Sequence, residues 1–316
     1  MFRGAMLFAL ALALLAPAAA SAAKPVATTG GAASITQTTV TLNGKVDANG
    51  KPTTYFFQIG TTRVYTATTP ETAAGQSADP VRISVPVSGL APATVYHYRL
   101  VAKNADGQTV GMDRTFKTKV QPLGVTLVAT PASVAPGGVT TLSGQLTGTN
   151  NAGRPVQLQS SAFPYTAGFS TVGNTVITDS VGNFTFNALP IGVTTQFRVL
   201  MPNRPEVASP IVVVGAALQL RTYVRKVERH RHSVSVRFSG YVTPASNGGR
   251  VNIQKLRGDV WTTVAHTLAK PKSSTRSRFK TRVRIYRSGT FRVVAEPTRP
   301  ELVAGAGRNV EIEVRR

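Results

Sequence analysis

Hydrophobic and polar residues alternate with a period of two through most of the chain. The alternation is clearest in the segments TVTLNGKV (39–46), VRISVPV (81–87), YHYRLVA (96–102), FTFNA (184–188) and SVSVRFSG (233–240). It is typical of β-strands that bury one face, because successive side chains of a strand point to opposite sides. Gly, Pro, Asn and Asp interrupt the segments at short intervals, and no useful amphipathic helix follows residue 22. The pattern therefore predicts an all-β fold.

One segment, GLAPATVYHYRLVAKNADG (89–107), combines a corner with a strand and a turn. The even-numbered residues from 96 to 102 are predicted to face a core, while the odd-numbered ones, including His97, face outward. Leu90 and Pro92 precede this strand, where the chain would cross between two sheets. A Tyr at position 96 can then bury its ring and return its hydroxyl to the upstream backbone, as in the tyrosine corner of Greek-key sandwiches.

The pattern Leu90-x-Pro92-x-Thr94-x-Tyr96, followed by alternation, resembles the E–F corner of fibronectin type III domains. The upstream segments ITQTTVTLNGKV (35–46) and TTYFFQIGTTRVY (53–65) are similar to the B and C strands of bacterial members. The resemblance covers roughly residues 24–118. It implies a β-sandwich fold, and a spacer, adhesive or accessory role far more often than catalysis, since a fold alone does not define a function.

The remainder of the chain repeats itself. LSGQLT (142–147), VQLQ (156–159), FSTV (169–172) and QFRV (196–199) match FSGYVT (238–243), VNIQ (251–254), WTTV (261–264) and TFRV (290–293). The offsets are 96, 95, 92 and 94 residues, so one unit of about 95 residues occurs twice. That length suits an immunoglobulin-like sandwich of about 100 residues. The pattern resembles the bacterial immunoglobulin-like repeats of secreted actinobacterial proteins.

These observations predict three tandem sandwiches after an N-terminal segment. The predicted limits are 1–22 for a signal peptide, 23–119 for the fibronectin type III-like domain, 120–215 for an immunoglobulin-like sandwich and 216–316 for a basic one. The joints would lie at Pro122 to Gly124 and around Gly215. Both are short, which predicts a semi-rigid rod.

The N-terminal segment has the features of a secretory signal peptide. Arg3 precedes the apolar run AMLFALALALLAPA, and Ala20-Ser21-Ala22 is a small-residue cleavage site. Cleavage after Ala22 would leave no segment long enough to span a membrane. We therefore expect a protein that is secreted or peripherally attached to the cell surface. The chain has no Cys, so disulfides, thiol nucleophiles and thiolate metal sites are excluded.

Positive charge is concentrated in the last third of the chain. Residues 24–119 carry ten Lys or Arg against five Asp or Glu, a net charge of +5, and residues 120–215 carry only +1. Residues 216–316 contain 22 basic and six acidic residues, a net charge of +16. With Arg3 these values sum to the total of +23.

Two basic clusters in this last third are candidate contacts for an anionic polymer of the envelope or matrix. The first is a stripe on one predicted strand face, formed by Arg278, Lys280, Arg282 and Arg284. The second precedes another strand and contains Arg225, Lys226, Arg229 and Arg231. Like charges aligned along a strand repel one another unless an anion meets them. The alternative is a solvated basic surface that only keeps the protein soluble.

No motif of a known catalytic or cofactor site occurs in the sequence, and no cofactor is predicted. Asp106, Asp113, Glu311 and Glu313 are interpreted as solvated surface acids. The four His residues lack the further ligands of a metal site, so they are interpreted as surface residues. Arg257-Gly258-Asp259 resembles the integrin-binding tripeptide of animal fibronectin modules, but the plainer interpretation is a turn that links two strands.

Three functions follow from these features. The first is a non-enzymatic, exported surface or extracellular protein that acts as an adhesive or spacer rod and contacts anionic polymers through its basic domain. The second is a carbohydrate-binding accessory protein in polysaccharide breakdown, although Trp261 is the only Trp and Phe169, its repeat partner, is expected in a core. The third is nucleic-acid binding, which the sparse aromatic residues disfavour. The oligomeric state is left open.

Overall fold

The computed structural model of the protein describes residues 23–314. The predicted all-β fold is confirmed, since these residues form mainly antiparallel sheets and contain no helix. The signal peptide predicted for residues 1–22 lies outside the described residues. The chain divides into two compact units, one ending at Gln121 and the other beginning at Pro122.

The first unit is a sandwich of two sheets around one core. Its strands are β1 (Val26–Ala33), β2 (Val40–Asp47), β3 (Thr53–Gly60), β4 (Ala67–Thr68), β5 (Thr72–Gly75), β6 (Val81–Val87), β7 (Val95–Asn104), β8 (Gly107–Val110) and β9 (Arg114–Lys117). One sheet has the order β1–β2–β6, and the other has the order β4–β3–β7–β8, with β5 on β3 and β9 on β7. Leu42, Phe57 and Leu100 are fully buried between them. This strand order is that of a fibronectin type III-like sandwich.

The predicted tyrosine corner is confirmed in the geometry of Tyr96. The backbone N–H of Ala91 donates a hydrogen bond of 2.9 Å to the Tyr96 hydroxyl, five residues downstream. Tyr96 is half-buried and stacks on Phe116. The adjacent core residue Tyr98 is almost completely buried, and its hydroxyl donates to the carbonyl oxygen of Gly30 at 2.8 Å. The two tyrosines therefore tie the strand β7 to the corner and to β1.

The second unit begins with another sandwich. Its strands are β10 (Gly124–Val125), β11 (Val128–Thr130), β12 (Ser133–Val134), β13 (Gly138–Thr147), β14 (Pro155–Ala162), β15 (Ser170–Ile177), β16 (Asn183–Ile191), β17 (Thr195–Met201), β18 (Arg204–Ala208) and β19 (Val212–Ala216). One sheet is built around β13, which pairs with β10, β11 and β16. The other has the order β12–β19–β17–β14–β15, in which β12 and β19 run parallel, with β18 on β17.

A third sandwich completes the second unit. Its strands are β20 (Gln219–His230), β21 (Ser233–Thr243), β22 (Arg250–Arg257), β23 (Val260–Leu268), β24 (Lys270–Pro271), β25 (Ser277–Ile285), β26 (Gly289–Ala295), β27 (Gly305–Ala306) and β28 (Val310–Ile312). The sheets have the orders β20–β21–β25–β24 and β23–β22–β26–β27, with β28 on β26. The repeated segments fall on equivalent strands, β13 with β21, β14 with β22, β15 with β23 and β17 with β26. The internal repeat is therefore structural.

The segment around Gly215 is not a loose joint between the second and third sandwiches. Gly215 lies inside β19, and Val214, Ala216 and Leu218 are buried. The backbone N–H of Leu218 donates to the carbonyl of Val303, and the N–H of Val303 donates to that of Ala216. Buried apolar residues of both sandwiches form one continuous cluster. The sandwiches are thus joined by strand-like pairing, and the short joint predicted around Gly215 is buried and hydrogen-bonded.

Limited proteolysis of the protein should reflect this difference between the two predicted joints. We expect a protease of broad specificity, such as subtilisin, to cut first within residues 119–122, because these residues are exposed and lie outside the strands. A fragment that begins near residue 120 should then persist, because the chain near Gly215 is buried and hydrogen-bonded. Mass spectrometry of the early fragments checks this expectation. Early cleavage between β19 and β20 would contradict it.

Candidate anionic-polymer interface

The strand β25 carries the predicted basic stripe with the expected alternation. Its buried residues include Phe279, Val283 and Ile285. Its exposed residues are Arg278, Lys280, Arg282 and Arg284. Alternate side chains lie about 6.7 Å apart along a strand. All four basic side chains therefore lie on the outer face of the sheet β20–β21–β25.

Neighbouring strands extend the stripe into a two-dimensional basic surface. The register places Arg237 of β21 opposite both Arg225 of β20 and Arg282 of β25. Directly opposed residues have Cβ atoms about 4.5–5.5 Å apart, and like charges in such pairs are destabilising. Three Arg residues thus form one row across three strands. Arg237 was missed in the sequence because its strand neighbours are distant along the chain.

Tyrosines are interleaved with the cations on the same face. Tyr223 is opposite Ser239, which is in turn opposite Lys280, and Tyr241 lies between Arg221 and Arg278. Tyr223 is 47% exposed. The guanidinium of Arg221 lies 5.6 Å from the centre of its ring. We call this surface of β20, β21 and β25 the basic face; it comprises Arg221, Arg225, Arg237, Arg278, Lys280, Arg282, Arg284, Tyr223 and Tyr241.

The second predicted cluster does not form one surface. Arg225 belongs to the basic face, but Lys226 is paired with the core residue Val236 and lies on the opposite side of β20. A register shift between Lys226 and Glu228 then changes the alternation. Lys226 and Arg229 line a small cavity of about 80 Å³ together with Glu313, and Arg231 is exposed in the turn before β21.

The basic face has no carboxylate partners within residues 23–314. In the third sandwich the carboxylates within 4 Å of a basic group are Glu228, 3.7 Å from His230, and Glu301, 3.6 Å from Arg299. Within the basic face, Arg284 donates to the Ser233 hydroxyl at 2.9 Å. No carboxylate of the described residues therefore forms an ion pair with these cations.

A stack of Arg, Gln and an aromatic ring occurs once in each sandwich. Its members are Arg99, Gln58 and Tyr65; Arg198, Gln159 and Phe169; and Arg292, Gln254 and Trp261. In each, the Arg Nε donates to the Gln at 2.7–2.8 Å and the guanidinium lies 4.2–4.4 Å from the ring centre. Phe169 is therefore a half-buried surface residue, and the expectation that it lies in a core is wrong. The sequence signal for these stacks was the recurrence of Gln on β3, β14 and β22 and of Arg on β7, β17 and β26.

One face of the Trp261 ring is not available for stacking on a neutral sugar. It is covered by the guanidinium of Arg292, 4.2 Å from the ring centre. Only the opposite face of this ring, the one Trp of the sequence, is left for a carbohydrate.

Two acids of the first sandwich, Asp106 and Asp113, are structural and partly buried. Asp106 accepts a hydrogen bond from Lys51 and another from the N–H of Ala23. Asp113 is 19% exposed and accepts hydrogen bonds from Tyr65 at 2.7 Å and from Arg63 at 3.2 Å, and its carboxylate lies 2.9 Å from His97 Nδ1. Burial alone would raise the pKa of Asp113, but these hydrogen bonds outweigh it and hold the pKa below its usual value. The expectation that these acids and His97 are simply solvated is wrong.

The remaining features considered are the Arg257-Gly258-Asp259 tripeptide, a metal site and a membrane-spanning helix. Gly258 and Asp259 form the turn between β22 and β23, and Gly258 has a φ of +57°, which Gly adopts without strain. Within residues 23–314, no three His, Asp or Glu side chains lie together in a way that could hold a metal ion. In the same residues no helix is long and apolar enough to cross a membrane.

The strand orders define the fold class of this chain as tandem β-sandwiches of fibronectin type III-like and immunoglobulin-like architecture. No protein-family model and no curated protein matches it.

Three solved structures are similar to the chain at low identity. A tetra-tandem repeat in the extending region of a large adhesion protein shares 13% identity, with 93% of this chain and 75% of that chain covered and a TM-score of 0.29. The FN1–FN3 domains of chicken CNTN1 share 15% identity, with 92% and 99% covered and a TM-score of 0.30. Three domains of titin share 15% identity, with 93% and 99% covered and a TM-score of 0.35. TM-scores this low carry no argument about function.

Proposed function

We propose that this chain is a non-enzymatic, exported surface or extracellular protein that acts as an adhesive or spacer and binds anionic polymers through the basic face of its third sandwich. The observation that carries the proposal is the row of Arg225, Arg237 and Arg282, three like charges on adjacent strands with no carboxylate within 4 Å. Repulsion within this row is relieved when a polyanion lies across it.

Two simpler explanations account for only part of this surface. Charged residues on an edge strand prevent unwanted strand pairing, but Arg237 lies on β21, which is paired on both sides. Solubility requires mixed surface charges and a moderate net charge, and the second sandwich has a net charge of only +1 over residues 120–215. Neither explanation requires three Arg residues side by side.

Single-stranded nucleic acid is a second candidate ligand. The observation in its favour is the presence of Tyr223 and Tyr241 among the cations, because base stacking on aromatic side chains adds about 1–3 kcal/mol per base. The sequence alone showed little interleaving, since these tyrosines become neighbours of Lys280 and Arg278 only through strand pairing.

Retention on polymer columns tests the proposal. We expect residues 23–316 to bind immobilised polygalacturonate, to pass through neutral galactan, and to elute as salt rises, because the screening length falls from about 10 Å at 0.1 M to about 3 Å at 1 M. Residues 23–121, which lack the basic face, should elute at much lower salt. Equal retention on both polymers would contradict the proposal, and stronger retention on single-stranded DNA at equal salt would favour the second candidate.

A further inference from the structure

A cavity of about 410 Å³ opens at one end of the third sandwich, beside the basic face. Its wall is formed by the ends of β22 and β25, by part of β23 and by the turn before β26. Buried side chains of Val283, Ile285 and Phe291 form its floor. The volume lies within the range of small-molecule sites.

Four cations and no carboxylate line this cavity. They are Lys255, Arg257, Arg284 and Arg287. Arg284 also belongs to the basic face, so the two surfaces are continuous. The other polar residues of the lining are Thr263 and Tyr286. Tyr286 is 64% exposed and lies with its ring 5.6 Å from the guanidinium of Arg284.

Lys255 is held in the cavity by specific contacts. Its Nζ donates to the carbonyl of Arg287 at 2.8 Å and lies 5.4 Å from the centre of the Phe291 ring. Gly289 leaves room for it, because a Cβ at that position would be 2.7 Å from Lys255 Cε. Burial, and then the charges of Arg257 and Arg287, lower the pKa of Lys255. An anion bound in the cavity would offset the effect of the two Arg charges on the pKa of Lys255.

The second sandwich supplies an internal comparison. Lys255 is paired with Phe291, and the equivalent pair there is Ser160 with Phe197. The position of Arg257 corresponds to Ala162 in the same alignment of β14 with β22. The cations are therefore additions to the repeated fold and are not required to form it.

We propose that this cavity binds one sugar ring that bears an acidic group, with the acid held by Lys255, Arg257 and Arg287 and the ring lying on Tyr286. The proposal rests on the proposed function, because it names acidic polysaccharide as the polymer class. A chain crossing the basic face past Arg284 would place one of its units in the cavity.

Calorimetric titration of residues 23–316 with digalacturonate tests the cavity directly. The probe is too short to cover the basic face, so its binding reports the cavity. We expect Lys255→Ser with Arg257→Ala, which restores the residues of the second sandwich, to weaken binding at least about tenfold, since each hydrogen bond to a charged group contributes about 1.5–3 kcal/mol. Arg308→Ser, an exposed cation between β27 and β28, should leave binding unchanged.

Further variants test the ring contact at Tyr286 and the independence of the cavity from the basic face. Tyr286→Ala should weaken digalacturonate but not pyrophosphate, which carries charge without a ring. In Lys280→Glu with Arg282→Glu, disaccharide binding should stay within about threefold at 0.15 M salt, where exposed charges are screened over about 8 Å, even if polymer binding is lost. Equal binding of neutral galactobiose, or an unchanged affinity in the Lys255 and Arg257 variant, would overturn the cavity site while leaving polymer binding by the basic face as a separate result.

Discussion

Replacing Gly240 by Ala is expected to lower the free energy of unfolding of the third sandwich by more than about 3 kcal/mol, because overpacking of a close-packed site costs 1–3 kcal/mol and more when backbone is displaced. Gly240 lies on β21 between two paired strands. A Cβ there would overlap the carbonyl oxygen of Arg221 on β20 and approach the ring of Phe279 on β25 to 2.9 Å. The carbonyl oxygen belongs to the backbone of a paired strand, so it cannot move away without disturbing strand pairing.

The second sandwich has a similarly crowded glycine, Gly144, at the equivalent position of β13. A Cβ at Gly144 would meet the carbonyl of Thr126 and the ring of Phe184. Gly192→Ala is the matched control, because nothing lies within 4 Å of a Cβ at that site. Urea denaturation of residues 122–316 followed by circular dichroism measures both variants. Equal midpoints for Gly240→Ala and the parent would show that the sheet tolerates the added methyl group.

Reversal of two charges on the basic face should abolish most polymer binding. We expect Lys280→Glu with Arg282→Glu to weaken binding to polygalacturonate about a hundredfold at 0.1 M salt. Each substitution removes one attractive charge contact and adds one repulsive contact, and an exposed contact of this kind contributes about 0.2–1 kcal/mol. Both side chains are exposed, and a Glu at position 282 would face Arg237 on β21, so the denaturation midpoint should equal or exceed that of the parent. Binding constants measured over a salt series should also fall less steeply with salt, because fewer counter-ions are released.

The control for this variant must have the same net charge. Lys119→Glu with Arg308→Glu provides it, since both residues are exposed and lie outside the basic face. This variant should bind the polymer within about threefold of the parent at 0.1 M salt, where screening acts over about 10 Å. Equal losses in the two variants would mean that net charge alone governs binding, and the basic face would then have no local role.

Local patterns predicted the strands, and the reason is physical. Alternation on β25 is set by the geometry of a single strand, so the exposed Lys280 and the buried Phe279 could be assigned from the sequence. The corner at Tyr96 is likewise local, since its bond partner Ala91 is five residues away. Both features depend only on nearby residues.

Features that depend on register could not be predicted in this way. Arg225 and Arg237 are twelve residues apart and Arg282 is 45 residues further on, and only the pairing of three strands aligns them. The irregularity after Lys226 separates residues that the sequence groups together. At Gly215 an apolar alternating segment continues from one sandwich into the next, and alternation alone does not distinguish a strand from a linker.

The pairing of Ala216 and Leu218 with Val303 has a mechanical consequence. A pulling force that enters the third sandwich reaches the second through these backbone hydrogen bonds and through the bond between the N–H of Thr194 and the carbonyl of Glu301, 2.9 Å long, as well as through the covalent chain. Free rotation at the connection is therefore blocked until the bonds rupture. Under tension we therefore expect the two sandwiches to resist as one unit, so that lengthening of residues 122–316 requires loss of tertiary structure.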